Sequence, residues 1–221
     1  MFQSLFSVLA PHDCLVCLTE AAVICKDCAL KKLPALGNCC VRCLKPTIAN
    51  AICKSCWPVA GVSRLWVACE YSNVAQRVIH TLKVDHARAA SRDMAWLMAV
   101  RSPSLPADTV VVPIPTALAR IRQRSFDHAR LLARSYARYK KLDCQELLRR
   151  RSVTRQVGAT RSQRQVQAAQ AFYAPSQQLT NKRVILIDDV YTTGASIAAA
   201  AAVLRSAGVS EIYAAIFAYR P

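Results

Sequence analysis

Eight cysteines in four Cys-x-x-Cys pairs, Cys14/Cys17, Cys25/Cys28, Cys40/Cys43 and Cys53/Cys56, fall within the first 56 residues. No other feature restricts so tightly what this chain can fold into. Each pair can turn two thiolates toward one metal, and two pairs complete the tetrahedral four-cysteine shell that structural zinc prefers. Four pairs in a reducing compartment therefore predict two structural Zn²⁺ ions. Sequential pairing needs only short loops, while a cross-braced arrangement fits the spacing equally well. Cys39 is left over as a spare thiol or an alternative ligand, and His12 reads as a surface histidine. A head of about 60 residues buries little core, so metal would supply most of its folding energy. Its simplest use is as a metal-stapled module that docks a protein partner. Its charge, Lys26, Lys31, Lys32, Arg42, Lys45 and Lys54 against Asp13, Glu20 and Asp27, is too mild for a DNA-reading finger.

A secreted disulfide scaffold is the competing use of so many thiols. The opening residues MFQSLFSVLAPHDC lack a basic n-region and a small-x-small cleavage site, so they do not read as a signal peptide. Phe2, Leu5, Phe6 and Leu9 instead follow the i, i+3, i+4, i+7 spacing of a short helix. No apolar run approaches the ~20 residues that span a bilayer. The expectation is a cytoplasmic protein without a membrane span.

Beyond a boundary near Pro58–Gly61 the pattern changes to alternating strands and helices, dividing the chain into 1–60 and 61–221. Strands are expected at Arg64–Cys69, in the run Asp108–Pro115, at Val184–Ile187 and at Glu211–Ala218. Helices are expected at Val74–Leu82, Ala87–Val100, Ala117–Tyr139 and Ala195–Ser206. The two prolines of Val111-Val-Pro-Ile-Pro115 suit a buried strand that ends abruptly. This order predicts an α/β fold with a largely parallel sheet flanked by helices. The stretch Arg149–Gln170 has few apolar residues and no clear period, and reads as a functional loop.

The formal charge is +17, and fourteen Lys/Arg against three acids lie between Arg120 and Arg164. Such a concentration favours a polyanion, single-stranded DNA among them, through phosphate contact rather than base reading.

The segment Val184-Ile-Leu-Ile-Asp-Asp-Val-Tyr-Thr-Thr-Gly-Ala-Ser196 carries the chemistry. In parallel α/β sheets ligands bind beyond the carboxyl ends of strands, where Asp188 and Asp189 are expected. The hydroxyls of Thr192, Thr193 and Ser196, the close approach allowed by Gly194, and the start of the next helix suit an anion. Carboxylates for hydroxyls and a loop for phosphate together describe a sugar phosphate. No G-x-x-x-x-G-K-[ST] or G-x-G-x-x-G is present to support a nucleoside triphosphate or dinucleotide site.

This segment resembles the 5-phosphoribosyl-1-pyrophosphate (PRPP) signature of type I phosphoribosyltransferases. The resemblance extends along most of the chain to the ComF family of competence- and gluconate-utilisation-type proteins, which join a double zinc ribbon to a phosphoribosyltransferase domain. Its further supports are the four Cys pairs, Tyr71 with Ile79-His-Thr-Leu-Lys83, the Val111–Pro115 strand end, Arg124-Ser-Phe-Asp-His128, and Gln156–Phe172.

The resemblance implies that Asp188 and Asp189 bind the ribose hydroxyls. Thr192, Thr193, Gly194, Ala195 and Ser196 would wrap the 5-phosphate, with Val190 and Tyr191 also in the PRPP site. Pro115, Thr116 and Lys83 would complete the PRPP site, and a loop bearing Arg155 and Arg164 would close over it. Mg²⁺ would arrive on the oxygens of PRPP. Two uses of such a site stay open. One is glycosyl transfer to a base. The other is non-catalytic sensing of PRPP or a nucleotide by a protein that handles single-stranded DNA in uptake. The chain departs from the family where Arg-Gly-Phe-Asn-Gln is common and Arg124-Ser-Phe-Asp-His stands here. It departs again where an Asn follows the loop arginine and this chain has Gln165-Val166.

Overall fold

The computed structural model describes residues 12–84, 88–151, 171–175, 179–180 and 182–221. The N-terminal helix expected around Phe2–Leu9 and the loop arginines Arg155 and Arg164 lie outside them.

Five strands form one parallel sheet: β1 (Arg64–Glu70), β2 (Thr109–Pro113), β3 (Asp143–Cys144), β6 (Arg183–Tyr191) and β7 (Glu211–Tyr219). Their order is β1-β7-β6-β2-β3. Two further short strands, β4 (Arg149–Arg150) and β5 (Phe172–Tyr173), pair antiparallel. The helices are α1 (Lys26–Lys32), α2 (Trp57–Ala60), α3 (Asn73–Lys83), α4 (Ala90–Val100), α5 (Leu118–Arg124), α6 (His128–Lys140) and α7 (Ala195–Ser206).

Side chains alternate across the strands, and both faces are covered, which is why the strands read as continuous aliphatic runs. On one face Trp66, Val111, Ile185, Ile187, Ala215 and Phe217 meet α3, α4 and α6. On the other, Leu65, Val67, Val112, Leu186 and Ala214 meet α7.

One expected element is corrected. The single helix over Ala117–Tyr139 is two helices, broken at Ser125, whose φ of 60° lies in the left-handed region. Asp127 then caps α6, its carboxylate accepting from the N–H groups of Ala129 (3.1 Å) and Arg130 (3.2 Å). An aspartate before a helical run is a strong start signal, and here it overrides the apolar periodicity of the whole segment.

The cysteine head straddles the sheet edge. Cys14, Val23, Ile24, Ala29 and Leu33 join the core on the α3/α4/α6 face. Cys40, Val41 and Ile52 join the core on the α7 face. Between them the chain passes the outer edge of β1, which it covers at two points. Glu70 N–H donates to Pro34 O at 3.1 Å, and Ala51 bridges Arg64. An exposed edge strand invites pairing with other chains, and here the head closes it.

Candidate functional site

Strand β6 continues past Ile187 to Tyr191, so Asp188 and Asp189 are its last turns of pleat rather than residues beyond it. Consecutive strand residues face opposite sides. Asp189 shares the side of Ile185 and Ile187, where the ends of α3 and α6 meet it. Asp188 shares the side of Leu186, toward α7.

Asp189 is buried and forms an ion pair with Lys83, the last residue of α3. His128, the first residue of α6, places Nε2 3.8 Å from the same carboxylate oxygen. Burial would raise the Asp189 carboxyl, but Lys83 and His128 outweigh it and hold the group below the usual range. Asp188 goes the other way: burial, then the neighbouring Asp189 charge, push it up to about 8. The two carboxyls are therefore pushed in opposite directions, Asp188 toward the protonated form and Asp189 toward the ionised one.

His128 is a second-order part of this arrangement with a defined tautomer. Arg124 lies 3.1 Å from its Nδ1, and a guanidinium can only donate. Nδ1 is thus the acceptor, and the Nε2–H faces Asp189. Burial depresses the imidazole to about 4, against the pull of Asp189, so the ring is neutral at physiological pH.

Beside β6, the β2 end supplies the next wall. Ile114 N–H donates to Ile187 O at 3.0 Å, which sets the Pro113–Thr116 turn against the aspartates. Thr116 donates its hydroxyl to Asp127 at 2.9 Å, and Pro115 O accepts from Arg150 at 3.4 Å. Burial and the nearby Arg120 charge lower the Arg150 guanidinium, while Asp188 opposes them. Arg120 also lowers Arg124, second to burial. Cations from α5 and β4 thus surround the acidic pair.

The loop Thr192–Gly194 leads into α7. Gly194 has φ 75°, and a Cβ there would lie 2.4 Å from the Tyr191 hydroxyl. Glycine is required on both counts, conformation and space. Thr193 Oγ1 accepts from Ala195 N–H at 3.4 Å. The dipole of the twelve-residue α7 points its positive end at this loop.

The cysteines gather sequentially, Cys14/Cys17/Cys25/Cys28 and Cys40/Cys43/Cys53/Cys56, with the sulfurs of each group within 4.8 Å of one another. Tetrahedral zinc with Zn–S about 2.3 Å needs sulfurs about 3.8 Å apart. Cys17–Cys25 at 3.7 Å and Cys43–Cys53 at 3.6 Å meet that requirement. The hydroxyls of Thr19 and Ser55 lead in lowering the Cys17 and Cys53 thiols to about 6, whereas burial and the neighbouring sulfurs push Cys28 and Cys56 up to about 12. Cys39 belongs to neither group.

The structure brings together Lys83, Asp188 and Asp189, with the Pro115–Thr116 turn alongside, and places Val190–Ser196 at the strand-to-helix junction. Sequence reasoning missed His128, Arg124, Arg150 and Arg42 as neighbours of the site. The Asp127 cap could have located His128 at a helix start. Nothing local marks Arg42, which approaches from a distant segment. Among the described residues no helix is long and apolar enough to cross a membrane.

Residues 128–221 match the family model of the phosphoribosyl transferase domain. No curated protein matches the chain. Solved structures similar to it include a glutamine PRPP amidotransferase from B. subtilis complexed with ADP and GMP, at 20% identity and TM-score 0.41, covering 57% of this chain and 26% of that one. Another is described as the allosteric regulatory enzyme of purine biosynthesis, at 19% identity and TM-score 0.39, covering 77% of this chain and 31% of that one. This chain thus spans between a quarter and a third of those proteins. With its parallel sheet, flanking helices and matched C-terminal region, the body has the type I phosphoribosyltransferase-like fold, preceded by a small cysteine-rich head fit for two zinc ions.

Proposed function

We propose that the chain binds PRPP, as Mg²⁺·PRPP, at the carboxyl end of β6, as a phosphoribosyltransferase-type protein. The observation that carries this reading is the juxtaposition of Asp188/Asp189 with a glycine-tightened loop opening α7. Carboxylates accept from ribose hydroxyls, and backbone N–H groups with the helix dipole hold the 5-phosphate. Arg124, Arg150 and Arg120 supply the positive field that a departing pyrophosphate needs, and such fixed charge is where electrostatic catalysis resides. Mg²⁺ carried by the PRPP oxygens would neutralise part of the leaving group's charge. Arg155 and Arg164 remain candidates for closing over the site.

Lys83 has a role beyond charge balance. By pairing with Asp189 it keeps that carboxylate ionised inside the protein, ready to accept a hydroxyl. Calorimetric titration of Mg²⁺·PRPP against the wild-type protein tests the reading, and absence of binding would overturn it. Pyrophosphate release with a panel of bases then separates transfer from sensing.

A second reading, contact with single-stranded DNA, is favoured by the β4/β5 pair. There Arg150 lies over the Phe172 ring at 5.2 Å and Arg151 over Tyr173 at 5.4 Å. Phe172 is buried, so the exposed Tyr173 ring with Arg151 over it and Arg150 beside it is what could meet bases and backbone. Oligonucleotide affinity that fails to fall with salt would count against it.

A further inference from the structure

The two four-cysteine centres are not equivalent. The first lies on the face of α4. There the Asp93 carboxylate accepts from Val23 N–H at 2.8 Å and Ile24 N–H at 3.2 Å, and Lys26 sits 5.6 Å over Trp96. The second lies on the face of α7, whose N-terminus opens the candidate phosphate loop. Its buried Cys40 and Val41 share a core with Tyr191, Ile197 and Ala201. The segment just after it also reaches α7. Arg205 donates to Gly61 O at 2.9 Å and stacks over Trp57 at 5.3 Å. A Cβ on Gly61 would stand 3.1 Å from Ala201 Cβ, so the approach is close.

Arg42 stands between the first two cysteines of this centre, in the knuckle Cys40-Val-Arg-Cys43. Its Nη1 lies 3.5 Å from the carbonyl oxygen of Thr193, 151 residues away in sequence. The Arg42 charge also opposes the rise that burial imposes on the Tyr191 phenol, so the guanidinium lies near that ring. That phenol is the group a Cβ on Gly194 would strike. The guanidinium therefore reaches the loop and lies near the ring that supports it.

The geometry has a consequence at the peptide between Thr193 and Gly194. A trans peptide is planar, with its C=O and N–H pointing in opposite directions. Holding the Thr193 carbonyl toward Arg42 directs the Gly194 N–H the other way. An anion loop works only when its carbonyls turn outward and its N–H groups turn in. A fixed cation on the outward carbonyl stabilises that orientation and adds positive potential to the loop.

We propose that Arg42, held by the second four-cysteine centre, is a positioning residue of the phosphate loop, so that this centre, unlike the first, tunes affinity for the ribose 5-phosphate. The inference rests on the PRPP-binding reading above. Arg suits this role better than Lys, because its planar fork presents several fixed donors toward the carbonyl while its charge spreads beside the Tyr191 ring.

The test is calorimetric titration of Mg²⁺·PRPP, and separately of ribose 5-phosphate, against the full-length, zinc-replete wild type, Arg42→Ala, Arg42→Lys and Lys26→Ala. Zinc content and melting temperature are recorded for each. Arg42→Ala should weaken both ligands roughly tenfold with two zinc ions retained, a magnitude expected for loss of one charge-assisted contact. Arg42→Lys should recover only part of this, and Lys26→Ala, in the first centre, should bind as wild type. If wild type binds and Arg42→Ala binds equally well, the role assigned to Arg42 is overturned while the PRPP reading stands. If Lys26→Ala weakens binding as much as Arg42→Ala, the asymmetry between the centres is overturned. If wild type binds neither ligand, the PRPP reading itself fails, and this role with it.

Discussion

At the scale of single residues, the segment Arg124-Ser-Phe-Asp-His128 acquires physical explanations. Ser125 adopts φ 60°, a conformation that glycine enters without penalty and serine does not. Ser125→Gly should therefore stabilise the protein by about 0.5–1 kcal/mol or leave it unchanged after the entropy of the unfolded chain is counted. A thermal melt in which the variant loses more than this would contradict the account. The charge of Asp127 is used on the α6 cap and on Thr116. His128 carries the sharper prediction. Its folded pKa, depressed to about 4, lies below the ordinary 6.5, so between those values the unfolded chain binds the extra proton. Stability contributed by the neutral ring is complete above pH 6.5 and is lost as pH falls toward 4, by about 2–3 kcal/mol. His128→Gln removes that titration, and denaturant melts from pH 7 to 4.5 should show a flatter profile than wild type. A profile as steep as wild type's would contradict the assignment. At Gly194, both φ 75° and the Tyr191 hydroxyl exclude a side chain. Gly194→Ala should abolish measurable ribose 5-phosphate binding with the fold retained by circular dichroism.

Among elements, those that were legible in the sequence owe it to uniform local signals. The runs Val184–Ile187 and Glu211–Ala218 are buried on both faces and could only be strands, and Ala195–Ser206 is a helix over its full expected length. What was illegible depends on contacts between distant segments. The apolar periodicity of 117–139 runs through Ser125, and only the Asp127 cap reveals two helices there. The paired aspartates were readable as adjacent carboxyls at the end of an aliphatic run, but their division between the two faces of β6, and the opposite directions in which their pKa values are pushed, follow from pleat and neighbours. The head is the clearest case: cysteine spacing predicted two metal centres, whereas its grip on both sheet faces has no sequence signature. Asp93 makes this testable. It satisfies two backbone donors of the first centre, and Asp93→Ala would leave them unpaired in a partly buried place. Such a loss costs about 1–3 kcal/mol for each group left unsatisfied. A melting temperature unchanged from wild type would show that the first centre does not lean on α4.

For the whole molecule, head and sheet share both cores, so metal and fold are expected to be one cooperative system. Stripping zinc with a strong chelator should shift the entire melting transition downward and uncover the β1 edge, which ordinarily drives association. Two separate transitions, with the sheet melting as before, would contradict this. The acidic pair links the same architecture to binding. Asp188, raised to about 8, holds a proton at neutral pH, and the ionised form is the better acceptor for ribose hydroxyls. Affinity for PRPP should accordingly rise with pH through about 8, with proton release on binding at pH 7. The central claim is that this pair and the loop at the start of α7 hold phosphoribose. Calorimetric titration of Mg²⁺·PRPP into wild type and into the Asp188→Asn/Asp189→Asn double variant tests it most directly. Saturable one-to-one binding by the wild type, weakened about a hundredfold or more in the variant by loss of both carboxyl groups, is the predicted result. Equal binding by both proteins, or none by the wild type, would contradict it.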